Sequence, residues 1–189
     1  ADGNGLGNNQ GGGMGEGWAD FHALLLIARP EDTAIPSNTT WNGVYALASY
    51  VTGGSAPLGG GNEGYYFGIR RYPYATDLGK NPLTFRHITT GVALPTGPPV
   101  NGGGNNAEVH NTGEVWATML WECYASLLRD TQGATPRLTF VEAQRRMRDY
   151  LVAGYKLTPA DPTFVEARDA LLAAIDVGDP VDFSLCSQA

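Results

Sequence analysis

The sequence predicts a mainly α protein, a bundle of about five or six helices broken by long glycine- and proline-rich loops. Three observations predict it. Apolar residues recur at three- and four-residue steps along most of the chain. Two stretches, Thr139-Phe-Val-Glu142 and Thr163-Phe-Val-Glu166, have the spacing of a capping box, in which a hydroxyl and a carboxylate each satisfy a backbone N–H at a helix start. No run alternates apolar and polar residues as a half-buried strand must, and nothing repeats beyond the paired start signals.

Taken in order, residues 1–13 read as a flexible, Gly/Asn-rich loop. A helix then starts near Met14, with Met14, Trp18, Phe21, Leu24, Leu25 and Ala28 on one face, and ends at Pro30. A second helix is predicted from Trp41 to Val51, with Trp41, Val44, Tyr45, Leu47, Ala48 and Val51 as its apolar set and Gly53-Gly54 as its stop. Residues 53–107 read mostly as loop, punctuated by Gly59-Gly60-Gly61, Pro98-Pro99 and Gly102-Gly103-Gly104, with a short helical turn at Pro82 to Ile88. A loop that long within a compact domain is more often functional than not. A long helix over Glu108 to Arg129 carries a broad apolar face that includes Val115, Trp116, Leu120, Cys123, Tyr124 and Leu127, and Gly133 follows it. The two start signals open helices over about 139–155 and 163–176, the second reinforced by Pro162. Asp179-Pro180 begins a last helix, which reads as cut short at Ala189. The length of 189 residues suits a single domain, or the larger part of one.

Composition narrows the function. Hydrophobic residues are 42% of the chain, enough for a core. Lys and Arg total 12 against 19 Asp and Glu, a net charge of −7, and no basic run interrupts that balance. The chain therefore has no general attraction to phosphate backbones, which argues against a nucleic-acid partner. The longest apolar stretch, Ala23 to Ala28, is far too short to span a bilayer. Cys123 and Cys186 have no metal-ligand spacing, and Cys123 sits within an apolar helical pattern, so a buried free thiol is favoured over a bridge. Asn38-Thr39-Thr40 matches a glycosylation sequon by spacing alone.

Three stretches could carry chemistry. In Gly13-Met-Gly-Glu16-Gly-Trp-Ala-Asp20-Phe21, Glu16 and Asp20 share a helix face four residues apart. Like charges at that spacing destabilise a helix, so a cation, a shared proton or solvent must offset them. Their position near a helix N-terminus favours the ionised forms, and two solvated acids is the plain reading. In Gly68-Ile-Arg70-Arg71-Tyr-Pro-Tyr74, paired arginines in a loop are ordinarily solvated or bound to surface acids. In Glu108-Val-His110-Asn-Thr-Gly-Glu114-Val-Trp116, a lone histidine at a helix start is ordinarily structural, as His22 and His87 also read.

These motifs, in this order, resemble the fungalysin-type zinc metallopeptidases of the thermolysin-like gluzincin clan, and the resemblance runs from about Gly11 to Cys186. It implies the C-terminal helical half of a thermolysin-like catalytic domain in a secreted, extracellular enzyme. It makes Glu16 the third ligand of a Zn2+ ion and Asp20 the carboxylate that orients a ligand histidine. It gives His110 the role of oxyanion stabiliser. Arg70, rather than Arg71, would hold the backbone of a peptide or protein substrate, a task that suits a guanidinium fork. The segment Thr163-Phe-Val-Glu-Ala-Arg-Asp169 also fits the family, as a packing helix.

The family's His-Glu-x-x-His segment does not occur in these residues, and the resemblance puts it upstream, on the same protein. A catalytic zinc needs about three protein ligands and a water. The expectation is thus that this chain alone is inactive, with an incomplete zinc site. Without its partner helix it would present an apolar surface prone to self-association. In the family pattern an acid upstream of the histidine holds its ring; here Asn105, Asn106 and Glu108 are the candidates. Two other readings compete: a non-catalytic helical interaction domain derived from such a peptidase, and a glycoside hydrolase using two of Glu16, Asp20, Glu114 and Glu122. A phosphate-binding loop at 11–17 lacks the Lys and Ser/Thr it needs.

Overall fold

The computed structural model describes residues 5–52 and 64–189. Among these, six α-helices account for the architecture: α1 (Asn9–Ile27), α2 (Gly64–Phe67), α3 (Val109–Arg129), α4 (Phe140–Leu157), α5 (Phe164–Gly178) and α6 (Pro180–Ser187). Short 3-10 turns occur at Pro30–Ala34, Pro36–Asn38 and Phe85–Ile88. No strand forms among the described residues beyond two isolated bridges, Tyr45 with Tyr74 and Leu47 with Gly68.

Helix α3 is the axis. Its broad apolar face was legible, and it is buried on several sides, against α1, α4 and α6. Trp116, Leu120, Trp121, Tyr124, Leu127 and Leu128 of α3 meet Phe21 and Leu24 of α1, Met147 and Leu151 of α4, and Ile175 of α5 in one core. Tyr124 takes the edge of Phe21, and Trp121 takes that of Tyr124, the geometry that aromatic quadrupoles favour.

Helix starts follow their signals closely. Thr163 and Glu166 form the full reciprocal box. Thr139 caps the Glu142 N–H at 3.2 Å, but Glu142 turns forward to Arg145 and Arg146 instead of back. Asp179 caps α6, with Pro180 at its first position.

Four expectations are overturned. Helix α1 starts at Asn9, not near Met14: Asn8 accepts the Gly11 N–H and donates to the Asp161 and Pro162 carbonyls, anchoring a glycine-rich first turn that has poor helix propensity. Glu16 therefore lies two turns inside the helix, beyond the first turn over which the helix N-terminus favours an ionised acid. The segment 41–51 is not a helix. Trp41 and Ala48 have φ of 59° and 54°, and the backbone pairs of Tyr45 with Tyr74 hold it extended. Trp41, Tyr45 and Leu47 are buried while Val44 and Val51 are exposed, so the apolar set splits. Gly68 accommodates the second bridge with φ of 61°; a Cβ there would sit 2.0 Å from the Leu47 carbonyl oxygen. The stop expected at Gly53-Gly54 and the cluster Gly59-Gly60-Gly61 lie outside the described residues.

The third correction concerns the cysteines, which form a disulfide joining α3 to α6. The apolar pattern around Cys123 reports burial, which a half-cystine and a free thiol share. Fourth, the paired arginines are not solvated: Arg70 and Arg71 are both buried. The sequon asparagine is also sealed. Asn38 is 4% exposed, its amide donates to the Tyr45 hydroxyl, and its oxygen accepts the Gly43 N–H.

Candidate active site

The site rests on a close crossing of α1 and α3. A Cβ on Gly17 would lie 2.5 Å from the Gly113 carbonyl oxygen, and one on Gly113 would lie 2.8 Å from the Gly13 oxygen and 2.9 Å from the Glu16 Cβ. Only glycine permits that approach. The crossing brings Glu16 of α1 beside His110 in the first turn of α3, with Glu16 Oε2 3.4 Å from His110 Nε2. Both side chains remain open to solvent, at 39% and 51% exposure.

Glu108 is the group that holds His110. Its Oε1 lies 2.6 Å from His110 Nδ1, and its Oε2 caps α3 by accepting the His110 and Asn111 N–H groups. Asn105 and Asn106 bond elsewhere. A carboxylate can only accept, so Nδ1 carries the proton on that side, and Nε2 can donate only when the ring is an imidazolium. Partial burial would raise the Glu108 pKa, but the bonds from His110 and the two amides outweigh it and lower the value.

The cation that offsets Glu16 and Asp20 is Arg70. Its Nε and Nη2 donate to the two Asp20 oxygens at 2.6 and 2.7 Å, and Nη2 lies 4.0 Å from Glu16. Tyr74 adds its hydroxyl to the same Asp20 oxygen that takes Nε, at 2.5 Å. Burial disfavours the Arg70 charge, yet the Asp20 bonds and charge carry its pKa upward. Tyr74 is pushed up by burial first and by the Asp20 charge second. Among the described residues Arg70 Nη1 has no hydrogen-bond partner, so one nitrogen of the fork is uncommitted.

Arg71 is fully used. Its backbone N–H and Nε bind the two oxygens of Glu114, Nη1 binds Asn106 Oδ1, and Nη2 binds the Asn111 carbonyl. This buried knot ties the arginine segment to α3 and so sets Arg70 in place. Motif reading did not mark Glu114, Asn106 or Tyr74 for these tasks. Tyr74 and Glu114 stood inside the stretches that stood out, but nothing in spacing joins position 74 to 20 or 114 to 71.

The glycosidase carboxylates disperse. Asp20 and Glu114 are each locked to an arginine, and Glu122 lies in the wall of a cavity of about 670 Å³ with Leu83, Phe85, Met119 and Phe164. Burial raises the pKa of Glu122 there. His87 caps the Phe85–Ile88 turn through Nδ1, which accepts the Thr84 N–H, and His22 bonds the Tyr155 hydroxyl through Nε2 and packs edge-on against the same ring.

No three His, Cys, Asp or Glu residues come together to hold a metal among the described residues. Of the candidate site's carboxylates, Glu16 has the chemistry to reach a metal. Glu16 is a half-open carboxylate that makes no hydrogen bond among the described residues, so it can offer one oxygen ligand to a site completed from elsewhere.

The chain matches the family described as fungalysin metallopeptidase (M36) over residues 1–179. It is 35% identical over 170 residues to the extracellular metalloproteinase 10 of Coccidioides posadasii. It is 32% identical over 169 residues to the extracellular metalloproteinase mep of Aspergillus niger, and 34% identical over 175 residues to the extracellular metalloproteinase 1 of Arthroderma otae. Each match takes in 86% of this chain but only 22% of the relative, so the chain spans about a fifth of their length. By that match, over nearly all of its length, this chain belongs to the fungalysin family of metallopeptidases.

Proposed function

We propose that this chain is part of a secreted zinc-dependent metalloendopeptidase, to which it contributes the third zinc ligand, Glu16, and the oxyanion-stabilising histidine, His110. The observation that carries the reading is the 3.4 Å approach of Glu16 to His110 across the glycine crossing, with Arg70 beside them. A metal ligand and an oxyanion donor must serve the same small volume, and residues 94 positions apart have no structural need to meet there.

An upstream His-Glu-x-x-His segment of the same protein supplies the two imidazole ligands and the general base. When bound, zinc supplies Lewis-acid polarisation of the scissile carbonyl and acidification of a water. The chain's own residues do the rest. Asp20, pinned by Arg70, has the lone pair needed to accept an imidazole N–H and fix that ring. His110 in its imidazolium form, its Nδ1–H held by Glu108, donates from Nε2 to the oxygen on which negative charge develops, a contribution on the order of 3 kcal/mol. Arg70 Nη1 donates to a substrate carbonyl. Substrates are peptides or proteins. Secretion is supported by the relatives' printed names and by the disulfide, a bond that persists in oxidising compartments. Alone, the chain hydrolyses no peptide, because it holds one ligand of about three.

The test is zinc binding by the full-length protein. Wild type should bind one zinc per molecule, and Glu16→Ala should abolish tight binding while leaving the circular dichroism spectrum unchanged. Zinc retained at wild-type affinity in Glu16→Ala would remove Glu16 from the site. A full-length protein that binds no zinc would favour the non-catalytic interaction domain.

A further inference from the structure

We propose that Tyr74 is a positioning residue of the site: its hydroxyl closes one oxygen of Asp20, so that a single acceptor position, on the other oxygen, remains for an incoming N–H. The inference rests on the reading of Asp20 as the partner of a ligand imidazole and assigns what aims it. Nothing in the family resemblance or the spacing gave this residue a task.

The count is short. An ionised carboxylate has about four lone-pair positions. Oδ2 of Asp20 accepts Arg70 Nε at 2.6 Å and the Tyr74 hydroxyl at 2.5 Å, which fills it. Oδ1 accepts Arg70 Nη2 at 2.7 Å and keeps one position. Tyr74 can do this because the bridge to Tyr45 holds its backbone on both sides, N–H and carbonyl, at 2.9 Å. The side chain is 1% exposed, so no water substitutes for it. Burial and the Asp20 charge keep the phenol protonated, hence always a donor. Without the hydroxyl, both oxygens of Asp20 would have an open position, and a ligand imidazole could be met at either of two orientations.

A merely structural hydrogen bond would lower stability and nothing else, and the molecule contains a matched control. Tyr150, on α4, donates to the buried Asp182 of α6 at 2.7 Å. The experiment makes Tyr74→Phe and Tyr150→Phe in the full-length protein and measures zinc affinity by competition with a chelator, alongside thermal unfolding. Tyr74→Phe should weaken zinc binding by about tenfold, the low end for outer-shell partners. Tyr150→Phe should lower the unfolding temperature and leave zinc affinity alone. Zinc affinity unchanged in Tyr74→Phe, or lowered equally in both variants, overturns the proposal. If Glu16→Ala loses zinc while Tyr74→Phe does not, this inference fails and the proposed function stands. A wild type that binds no zinc overturns both.

Discussion

His110 has a carboxylate at each ring nitrogen, and the two differ in kind. Glu108 is two residues away on the same chain turn and doubles as the cap of α3, so ring orientation and helix start are one structure. Glu16 arrives from another helix and depends on the glycine crossing. Replacing Glu108 by Ala should therefore cost about 1 kcal/mol, the usual value of an N-cap, measured as a shift in the denaturant midpoint. Glu108→Asn, which retains an accepting oxygen at the cap, should recover most of that loss. Equal losses in both variants would show that charge, not capping, is what Glu108 gives the fold. At this scale Glu16, Asp20, Arg70 and His110 stood out in the sequence because their motifs resemble a family's, and the fold brings the four side chains together. Tyr74 and Glu114 were not, because their partners, 54 and 43 residues away, are set by the tertiary fold.

Each of the helices α3 to α6 carries, at its cap or in its first turn, an acid whose pKa is lowered. Glu142 falls to about 2 through hydrogen bonds from Arg145 and Arg146. Glu166 is lowered by the Thr163 amide, Asp179 by Arg146 and its own capped amides, and Glu108 by His110 and amides acting against burial. A folded pKa below the unfolded one gives stability that is complete above the ordinary glutamate value of 4.5 and is lost as pH falls through the folded value. Acidification from above 4.5 toward 2 should thus lower the unfolding temperature progressively, followed by far-ultraviolet circular dichroism. A flat profile across that window would mean that these four acids contribute nothing measurable. The starts of α4 and α5 could be read because a capping box is local in sequence. The start of α1 and the segment 41–51 could not. The first depends on a distant cap partner, Asp161, and the second on backbone pairing with residues 68 and 74.

For the whole molecule, helical class and a single core follow from periodicity, whereas the disulfide does not, since two cysteines in an apolar pattern look alike bridged or free. Cys123 and Cys186 are 63 residues apart, and closing a loop of that size removes unfolded-state entropy worth about 4 kcal/mol. Reduction, or a Cys123→Ala/Cys186→Ala double variant, should lower the unfolding free energy by about 2–5 kcal/mol in denaturant titrations. No change would mean the unfolded chain is already compact between those residues. The same bond has a topological effect. Helices α4 and α5 and most of α6 lie inside a covalent ring. A single backbone cut anywhere in that ring makes a nick, not a fragment: both new ends stay tethered to α3. A chain from a family of peptidases carries there, in the half that buttresses its site, a segment that one clip cannot detach.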